Sequence, residues 1–490
     1  MGYLGRVWDA IRGKSSDEPP PQPKPQSRYD AAGDTLPNRQ HWSLTDSRSA
    51  NSLNDAGTRQ KLRDRARYEC RNNGYAKGLV AGIAQDVVGT GPRLQLNLGE
   101  AGRDAARKVE AAWRAWCEAV DLPDKLRIKH ESKVRDGECF ALLTQNDAVT
   151  HPVKLDIRLV ECDRVETPWG WSGDPSIVDG IQFDRAGNPV AYWVSRTHPG
   201  DTFADTQYDR VDAANVLHWF RPDRPGQVRG VSELAPGLGL FAQLRRFTLA
   251  TVQAAEFAAT VSGVMETDLP PPDDGTAVTV NQASEIPLSP GSLLTLANGW
   301  KATGFKAEQP VSTYGEFKGE ILAEAGRGPG APRSLTTADS SAFNFSSARL
   351  DHLPYQRGIW IDRRRERKQL DKLFAAWWAE YTLIPESAGG APAGLPDFAE
   401  VSWDWHWDGF AWMDPQKDAA AVQSRLDMNL TTLSEECAAE GKDWEEVLEQ
   451  RARELARIKE LETQYGISFA PAGMAAPVVA PEDEEVLTDA

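Results

Sequence analysis

The chain has 490 residues, 40% of them hydrophobic and 17 of them Trp, enough for two to four domains with real cores, which excludes a chain disordered throughout. A net charge of -17 disfavours a protein that wraps nucleic acid by neutralising phosphates, because such binders present a net basic surface. Five Cys without paired spacing suit reduced thiols, and with no apolar run near the roughly 20 residues that span a bilayer and no signal-peptide pattern, a soluble protein is expected.

Residues 1–14, MGYLGRVWDAIRGK, place Tyr3, Leu4, Val7, Trp8 and Ile11 on one helical face. With so few basic residues this reads as a docking arm rather than a membrane-surface helix. The Pro-rich SSDEPPPQPKPQS is an extended tether, so the folded body is expected to begin near residue 55. Residues 58–88 read as one helix, with Leu62, Ala66, Leu79, Val80, Ile83 and Val87 at near-helical spacing and GTGP at 89–92 as its stop. A second helix at 103–120 buries Val109, Trp113, Trp116 and Val120. The pattern then changes to period two: KLDIRLV at 154–160 alternates Leu155, Ile157 and Leu159 with charged residues, and GIQFDRAGNPVAYWV predicts a hairpin turning at Ala186 to Asn188.

Helix resumes over 232–262 and is ended by DLPPPDDG at 268–275. Short apolar stretches occupy 276–310, and GRGPGAPRS at 326–334 is a break. Leu370, Leu373, Phe374, Trp377, Trp378 and Tyr381 form the stripe of a long helix, which Pro354 and Gly358 are expected to kink or delay. After the Trp-rich SWDWHWDG at 402–409, a helix is expected from about 415, with Asp414 as its cap and Pro415 at its first position. A last charged helix covers 443–463, capped at Asp443, and PEDEEVLTDA reads as an acidic disordered tail.

Chemistry has two candidates. In SWDWHWDG, strand alternation puts Trp403, Trp405 and Trp407 on one face and Asp404, His406 and Asp408 on the other. Same-face residues about 7 Å apart are widely spaced for one small ion, so a half-buried strand is favoured. A metal-dependent hydrolase centred on Asp404, His406 and Asp408 stands as the alternative. The chain has no HExxH, GxSxG or phosphate-loop motif, so no catalytic nucleophile and no cofactor are expected. The second candidate is RRRERK, in which Arg363, Arg364, Arg365, Arg367 and Lys368 splay around a helix. They pair with acidic neighbours or contact phosphates, the former being favoured.

A series of segments, in order along the chain, resembles the portal proteins of tailed bacteriophages, in the lambda-like branch. RARYECRNNGYAKGLVAGIAQDVVGTGPRLQ at 65–95 supplies Arg71, Asn72, Asn73, Gly89 and Gly91. RDGECFALL at 135–143 supplies Asp136, Gly137 and Glu138, and the expected hairpin is similar as well. The most specific match is VLHWFRPDRPGQVRGVSELAP at 216–236, with Arg224, Gly226, Gln227, Arg229, Gly230 and Ser232. FNFSSARL at 343–350 adds Asn344, Ser346, Ser347 and Arg349, and WDGFAWMDPQKDAAA at 407–421 adds Trp407, Asp414 and Pro415. Pro354 and the Gly/Pro-rich stretch from 326 depart from the pattern.

The resemblance implies an α+β portal fold with a mixed wing, a helical stem, a small α/β clip and a C-terminal helical crown. It places an arm and tether at 1–57, the wing at 58–230, a stem or core helix at 231–264 and the clip at 265–335. A second stem or core helix and the Trp-rich strand take 336–414, crown-side helices 415–466, and the tail 467–490. It implies a homo-oligomeric ring, usually of twelve subunits, at one capsid vertex, assembled in the bacterial host cytoplasm and present in the virion. Double-stranded DNA passes through its channel. Partners are the terminase large subunit, major capsid and scaffold proteins and head–tail connector proteins, with no membrane, no cofactor and no enzymatic activity. A non-portal capsid component is the further alternative. The cations of 363–368 become candidates for the DNA channel or a subunit interface.

Overall fold

The computed structural model of the protein describes residues 32, 35–260, 264–267, 300–303, 313–410 and 415–469, apart from 169, 171, 172, 206 and 342. The expected arm helix and tether, the stretches at 268–275 and 276–299, Asp414 and the acidic tail from 470 lie outside the described residues. Contacts divide the chain into Met1–Leu53 and Asn54–Ala490. Among its described residues the first unit holds two short helices, α1 (Leu36–His41), capped by Thr35, and α2 (Ala50–Leu53).

The second unit opens with α3 (Ala56–Asn72) and α4 (Gly74–Val88), so the single helix expected over 58–88 is two. Asn73 is extended at φ -130° and ψ 112°; its side chain accepts from Tyr75 N at 3.0 Å and starts the second helix. Apolar spacing runs across the break because Ala66, Leu79, Ile83 and Val87 face one core. Strand β1 (Arg93–Asn97) and α5 (Arg103–Ala119) follow. Helix α6 (Leu122–Asp136) was not expected, because Lys129, His130 and Lys133 share its buried face with Leu126 and Val134 and mask the apolar period.

Strands β2 (Glu138–Gln145) and β3 (Leu155–Val160) pair antiparallel. A four-stranded sheet of β4 (Ile177–Val178), β5 (Ile181–Phe183), β6 (Pro189–Ser195) and β7 (Tyr208–Asp212) comes next, then β8 (Val216–Phe220), which pairs with the other edge of β2. The expected hairpin is β5–β6; Asp184 closes its turn by accepting from Ala186 N and Asn188 N, each at 2.8 Å. Phe140, Val160, Ile181, Tyr192, Val194 and Val216 make a small core shared by the two sheets.

Helix α7 is Leu238–Thr260 and starts six residues later than expected, because 232–237 form a turn containing Pro236. Strands β9 (Val264–Thr267) and β10 (Trp300–Thr303) pair with each other. Helices α8 (Tyr314–Gly326) and α9 (Arg333–Thr337) flank the Gly/Pro break. Helix α10 (Phe345–Tyr381) is about 55 Å long at about 1.5 Å per residue. Asn344 and Ser347 form its capping box, and it runs through Pro354 and Gly358 with no delayed start. Buried Tyr355 and Ile359 anchor the helix in the main core just after the proline and offset its missing bond.

That core is aromatic. Trp113 of α5 packs against Phe374 and Trp377 of α10, with centroids 5.4 and 5.3 Å apart in edge contacts. Strand β11 (Ser402–His406) pairs with β1, which sets Trp405 opposite Leu94 and delivers its indole 5.7 Å from Trp113. Helices α11 (Pro415–Asp427), α12 (Leu433–Ala439) and α13 (Trp444–Tyr465) end the described chain, Asp443 capping α13 as expected. No described residue of these three helices is buried.

Candidate functional site

The polar row of the Trp-rich segment does not converge on a common point. Asp404 is exposed and pairs with Arg367 at 2.8 Å. The His406 Nε2 lies 2.7 Å from Gln95 Oε1. Asp408, beyond the strand end, accepts from Thr90 N at 2.6 Å and pairs with Arg93 at 3.0 Å, which ties the Gly89–Gly91 turn to the Trp-rich segment. These three residues serve three different partners, so the hydrolase centre is not formed. The favoured strand reading is what the structure contains: Trp405 is buried and Trp403 half-buried, and both indoles donate to Asp371 Oδ1 at 2.8 Å.

Glu161, Asp163 and His198 come closer together, their ligand atoms lying within 4.8 Å of one another. A guanidinium already fills that space, since Arg67 lies 2.6 Å from Asp163 and 3.6 Å from Glu161. His198 Nδ1 accepts from Gly200 N at 2.9 Å, which leaves the ring proton on Nε2 rather than a lone pair for a metal. The arrangement is an ion-pair cluster.

The basic run divides by helical face. Arg363 is buried; it donates to Val87 O and Asp86 O, each at 3.0 Å, and lies over Phe410. Its place in the core corrects the expectation that all five cations are free for DNA or a second subunit. Arg364, Arg365, Arg367 and Lys368 are exposed. Between them Glu366 is buried and paired with Lys129 of α6. Lys133, one turn on, takes Asp362 at 2.8 Å and Glu233 at 2.9 Å, so matched buried charges bind α6 to α10.

The densest site unites two of the segments singled out in the sequence. Arg229 is 1% exposed; its guanidinium reaches Glu138 at 2.7 Å and donates to Val165 O and Cys162 O at 2.9 and 3.1 Å. Glu138 also accepts from Gly230 N at 3.0 Å and lies 3.1 Å from His218 Nε2. Burial alone would push the Glu138 carboxyl up, but Arg229 and His218 hold it well below the usual carboxylate range. Burial drives His218 the other way, lowering its pKa despite Glu138. Gly137, at φ 95°, and Gly230 cross where a Cβ on Gly230 would fall 2.1 Å from Gly137 O, so only glycines let the two backbones touch. Asp136 pairs with Arg67 at 2.9 Å, and Ser232 is buried beside the crossing.

Upstream, Gly226 turns at positive φ and Gln227 folds back, accepting from Asp223 N and Arg224 N and donating to Arg229 O at 2.8 Å. Arg59, Arg63 and Arg67, four residues apart on α3, face this cluster, with Arg59 2.9 Å from Asp179. The sequence reading missed their role, though their spacing carried the signal. Arg71 and Asn72 donate to Arg67 O and Tyr68 O, Ser346 and Arg349 lie on the exposed side of α10, Trp407 is half-buried and Pro415 opens α11.

Such a site has no open reaction centre. Its charges are spent on each other and on backbone carbonyls, and they lock two crossing segments of the chain together. The chain belongs to the lambda family of phage portal proteins, because the profile described as "Phage portal protein, lambda family" matches residues 37–363. It is 24% identical over 425 residues to the "Probable portal protein" of Halomonas phage phiHAP-1, covering 82% of this chain and 81% of that one. It is 21% identical over 441 residues to "Portal protein B" of Escherichia phage lambda, covering 78% and 81%. Among solved structures it is similar to a chain in the "Neck of empty GTA particle computed with C6 symmetry" (TM-score 0.48, 15% identity, 76% of this chain and 90% of that one). It is also similar to one in the "Virion of native gene transfer agent (GTA) particle" (0.46, 14%, 77% and 92%). Among the described residues no helix is long and apolar enough to cross a membrane.

Proposed function

We propose that this portal protein works as a homo-oligomeric ring of twelve subunits at one capsid vertex, assembled in the host cytoplasm and retained in the virion. Double-stranded DNA enters and leaves through its channel. The ring docks the terminase large subunit during packaging and head–tail connector proteins afterwards, and contacts major capsid and scaffold proteins during assembly. The observation that carries the reading is the family match across two-thirds of the chain together with relatives aligned along most of their length.

In this reading the wing comprises 58–230, and α7 and α10 serve as stem or core helices. The clip narrows to 265–312, because Leu322 and Ala325 of α8 belong to the main core. Helices α11 to α13 form the crown side. A net charge of -17 suits a channel that must let phosphates slide, because negative walls do not hold them. Arg364, Arg365, Arg367 and Lys368 act as contacts for carboxylates of a neighbouring subunit.

Cryo-electron microscopy of the purified protein tests the assembly directly. Closed rings with a central channel are expected, eluting near half a megadalton or above. Small oligomers under all assembly conditions would refute it. Replacing Arg364, Arg365, Arg367 and Lys368 by Gln is expected to impair ring formation. Intact rings with reduced packaged DNA would assign these cations to the channel instead.

A further inference from the structure

The stretch of α10 from Ile361 to Gln369 forms one wall of a pocket of about 500 Å³, closed on the other sides by α6 and β8. Trp219, Phe220, Pro222 and Ile361 give it apolar surface, while Arg364 and Lys368 stand among its exposed residues. The deeper charges are already matched: Lys129 with Glu366, Lys133 with Asp362 and Glu233, and Arg365 with Asp362 at 3.0 Å. Arg364 and Lys368 have no ion pair among the described residues. His130, 1% exposed, also lines the pocket, and neither of its ring nitrogens has a hydrogen-bond partner. Burial and the neighbouring Lys133 and Lys129 keep its imidazole neutral, so one ring N–H remains to donate.

An apolar pocket edged by unpaired cations matches an acidic segment that also carries apolar side chains. A duplex backbone meets open basic surfaces and offers nothing for the Trp219–Phe220 wall. The sequence carries two such segments, and the one at Glu445–Leu448 is already folded into α13 with Glu445 and Glu446 paired to Arg103 and Arg114, which leaves the one at 482–487. Glu482, Asp483, Glu484 and Glu485 run directly into Val486 and Leu487, and no Lys or Arg occurs after Lys459 to cancel them. From Phe469 to Glu482 the chain spans at most roughly 45 Å, about the width of a domain this size. Ala438 and Ala439 line a second pocket against Arg363, Arg364 and Arg367, so the C-terminal part of the chain already reaches this stretch of α10.

We propose that Glu482–Leu487 docks in this pocket of its own chain, its carboxylates on Arg364 and Lys368 and its Val-Leu pair on the apolar wall. The inference rests on the reading of the exposed α10 cations as carboxylate contacts, but not on ring formation. Occupied in this way, Arg364 and Lys368 are withdrawn from other polyanions, which makes the tail a competitor for that surface.

The test uses the full chain with Glu482→Gln, Asp483→Asn, Glu484→Gln and Glu485→Gln, which frees the pocket, and a fluorescent peptide of residues 480–490. Polarisation is expected to show micromolar binding at low salt that weakens about tenfold when ionic strength is raised past the Debye regime of surface pairs. Adding Arg364→Gln and Lys368→Gln should weaken it about tenfold, and the unmodified chain should bind the peptide less well because its own tail competes. A peptide with its acids changed to Gln or Asn leaves the protein untouched and should not bind, so a folding defect in the double variant cannot mask the result. No binding, or binding indifferent to Arg364, Lys368 and the peptide's acids, would overturn the proposal. Particle mass followed in parallel separates the two readings: lost rings with retained peptide binding count against the ring alone.

Discussion

The body from Asn54 to Trp407 and the C-terminal helices α11 to α13 are held by different forces. In the body, aromatic rings and paired charges are packed together away from water, as in Trp113–Trp377 and Arg229–Glu138. The C-terminal helices bury no described residue, and α13 meets α5 through Arg103–Glu445 at 3.2 Å, Arg107–Glu449 and Arg114–Glu446 at 3.9 Å. The same residue chemistry, Arg with Glu, does two jobs. Buried, it fixes which backbones cross; exposed, it is a screened and reversible latch.

The sharpest way to break this contrast is to remove one partner of the buried pair. Arg229→Met leaves Glu138 charged with His218, Gly230 N and, at 3.9 Å, Arg63 beside it but without its closest cation, and should cost about 3 to 5 kcal/mol in urea unfolding. Adding Glu138→Gln should recover part of the loss, a sign that the single change acted through an orphaned charge. Next comes Trp405→Ala, expected to cost about 3 kcal/mol through lost burial and a cavity beside Trp113. It falls at the lower end because Trp403 keeps Asp371 partnered. Within the polar row, Asp408→Asn should cost about 1 to 2 kcal/mol, since Asp408 accepts from a backbone amide and a guanidinium. Asp404→Asn should cost only a few tenths of a kcal/mol, as an exposed pair. Equal effects at the two positions would erase the distinction between strand surface and turn anchor.

These outcomes also mark what was legible in the sequence. The α10 stripe from Leu370 to Tyr381, the hairpin turn and the Asp443 cap are local signals, and each is where spacing placed it. Helix α6 was hidden because its buried face carries lysines whose partners, Glu366 and Asp362, lie more than 200 residues away. Arg363 looked like part of a surface run for the same reason: nothing local announces that Asp86 O and Val87 O await it. The segments carrying Glu138 and Arg229 were recognisable as motifs, yet their pairing depends on two glycine backbones meeting 93 residues apart. Local periodicity reports apolar burial well and long-range charge pairing hardly at all.

A smaller effect should appear where the two regions meet. Glu110 of α5 lies under the start of α13 and accepts from Leu96 N at 2.6 Å. Burial, with Asp443 and Glu446 adding to it, pushes its carboxyl up to about 7. Arg103 and Arg107 of α5, Asp404 of β11 and Glu445 of α13 line the same pocket as Glu110, and Arg114 of α5 pulls the carboxyl the other way. A raised folded-state value means that the attached form prefers the protonated carboxyl. Its contribution is full below the ordinary value of 4.5 and is lost as pH rises through about 7. Hydrogen exchange across 443–465, corrected for the intrinsic rate, should therefore speed up from pH 5 to pH 8, and Glu110→Gln should flatten the change. An unaltered slope in that variant would place the titrating group elsewhere.

The smallest expected effect is the most selective. The Arg103, Arg107 and Arg114 pairs are exposed on at least one side, so each is a weak contact at low salt and weaker still once the Debye length shrinks below the spacing between pairs. Raising sodium chloride from low to about 0.5 M should accelerate exchange of the α13 amides severalfold while leaving those of α10 between Leu370 and Tyr381 unchanged, because the latter are protected by aromatic burial, which salt does not weaken. Arg107→Gln should remove part of the salt response and nothing from the stability of the body. A uniform salt response of α10 and α13 would mean that the two regions unfold as one. Attachment by a latch would then be the wrong description of how the C-terminal helices are held.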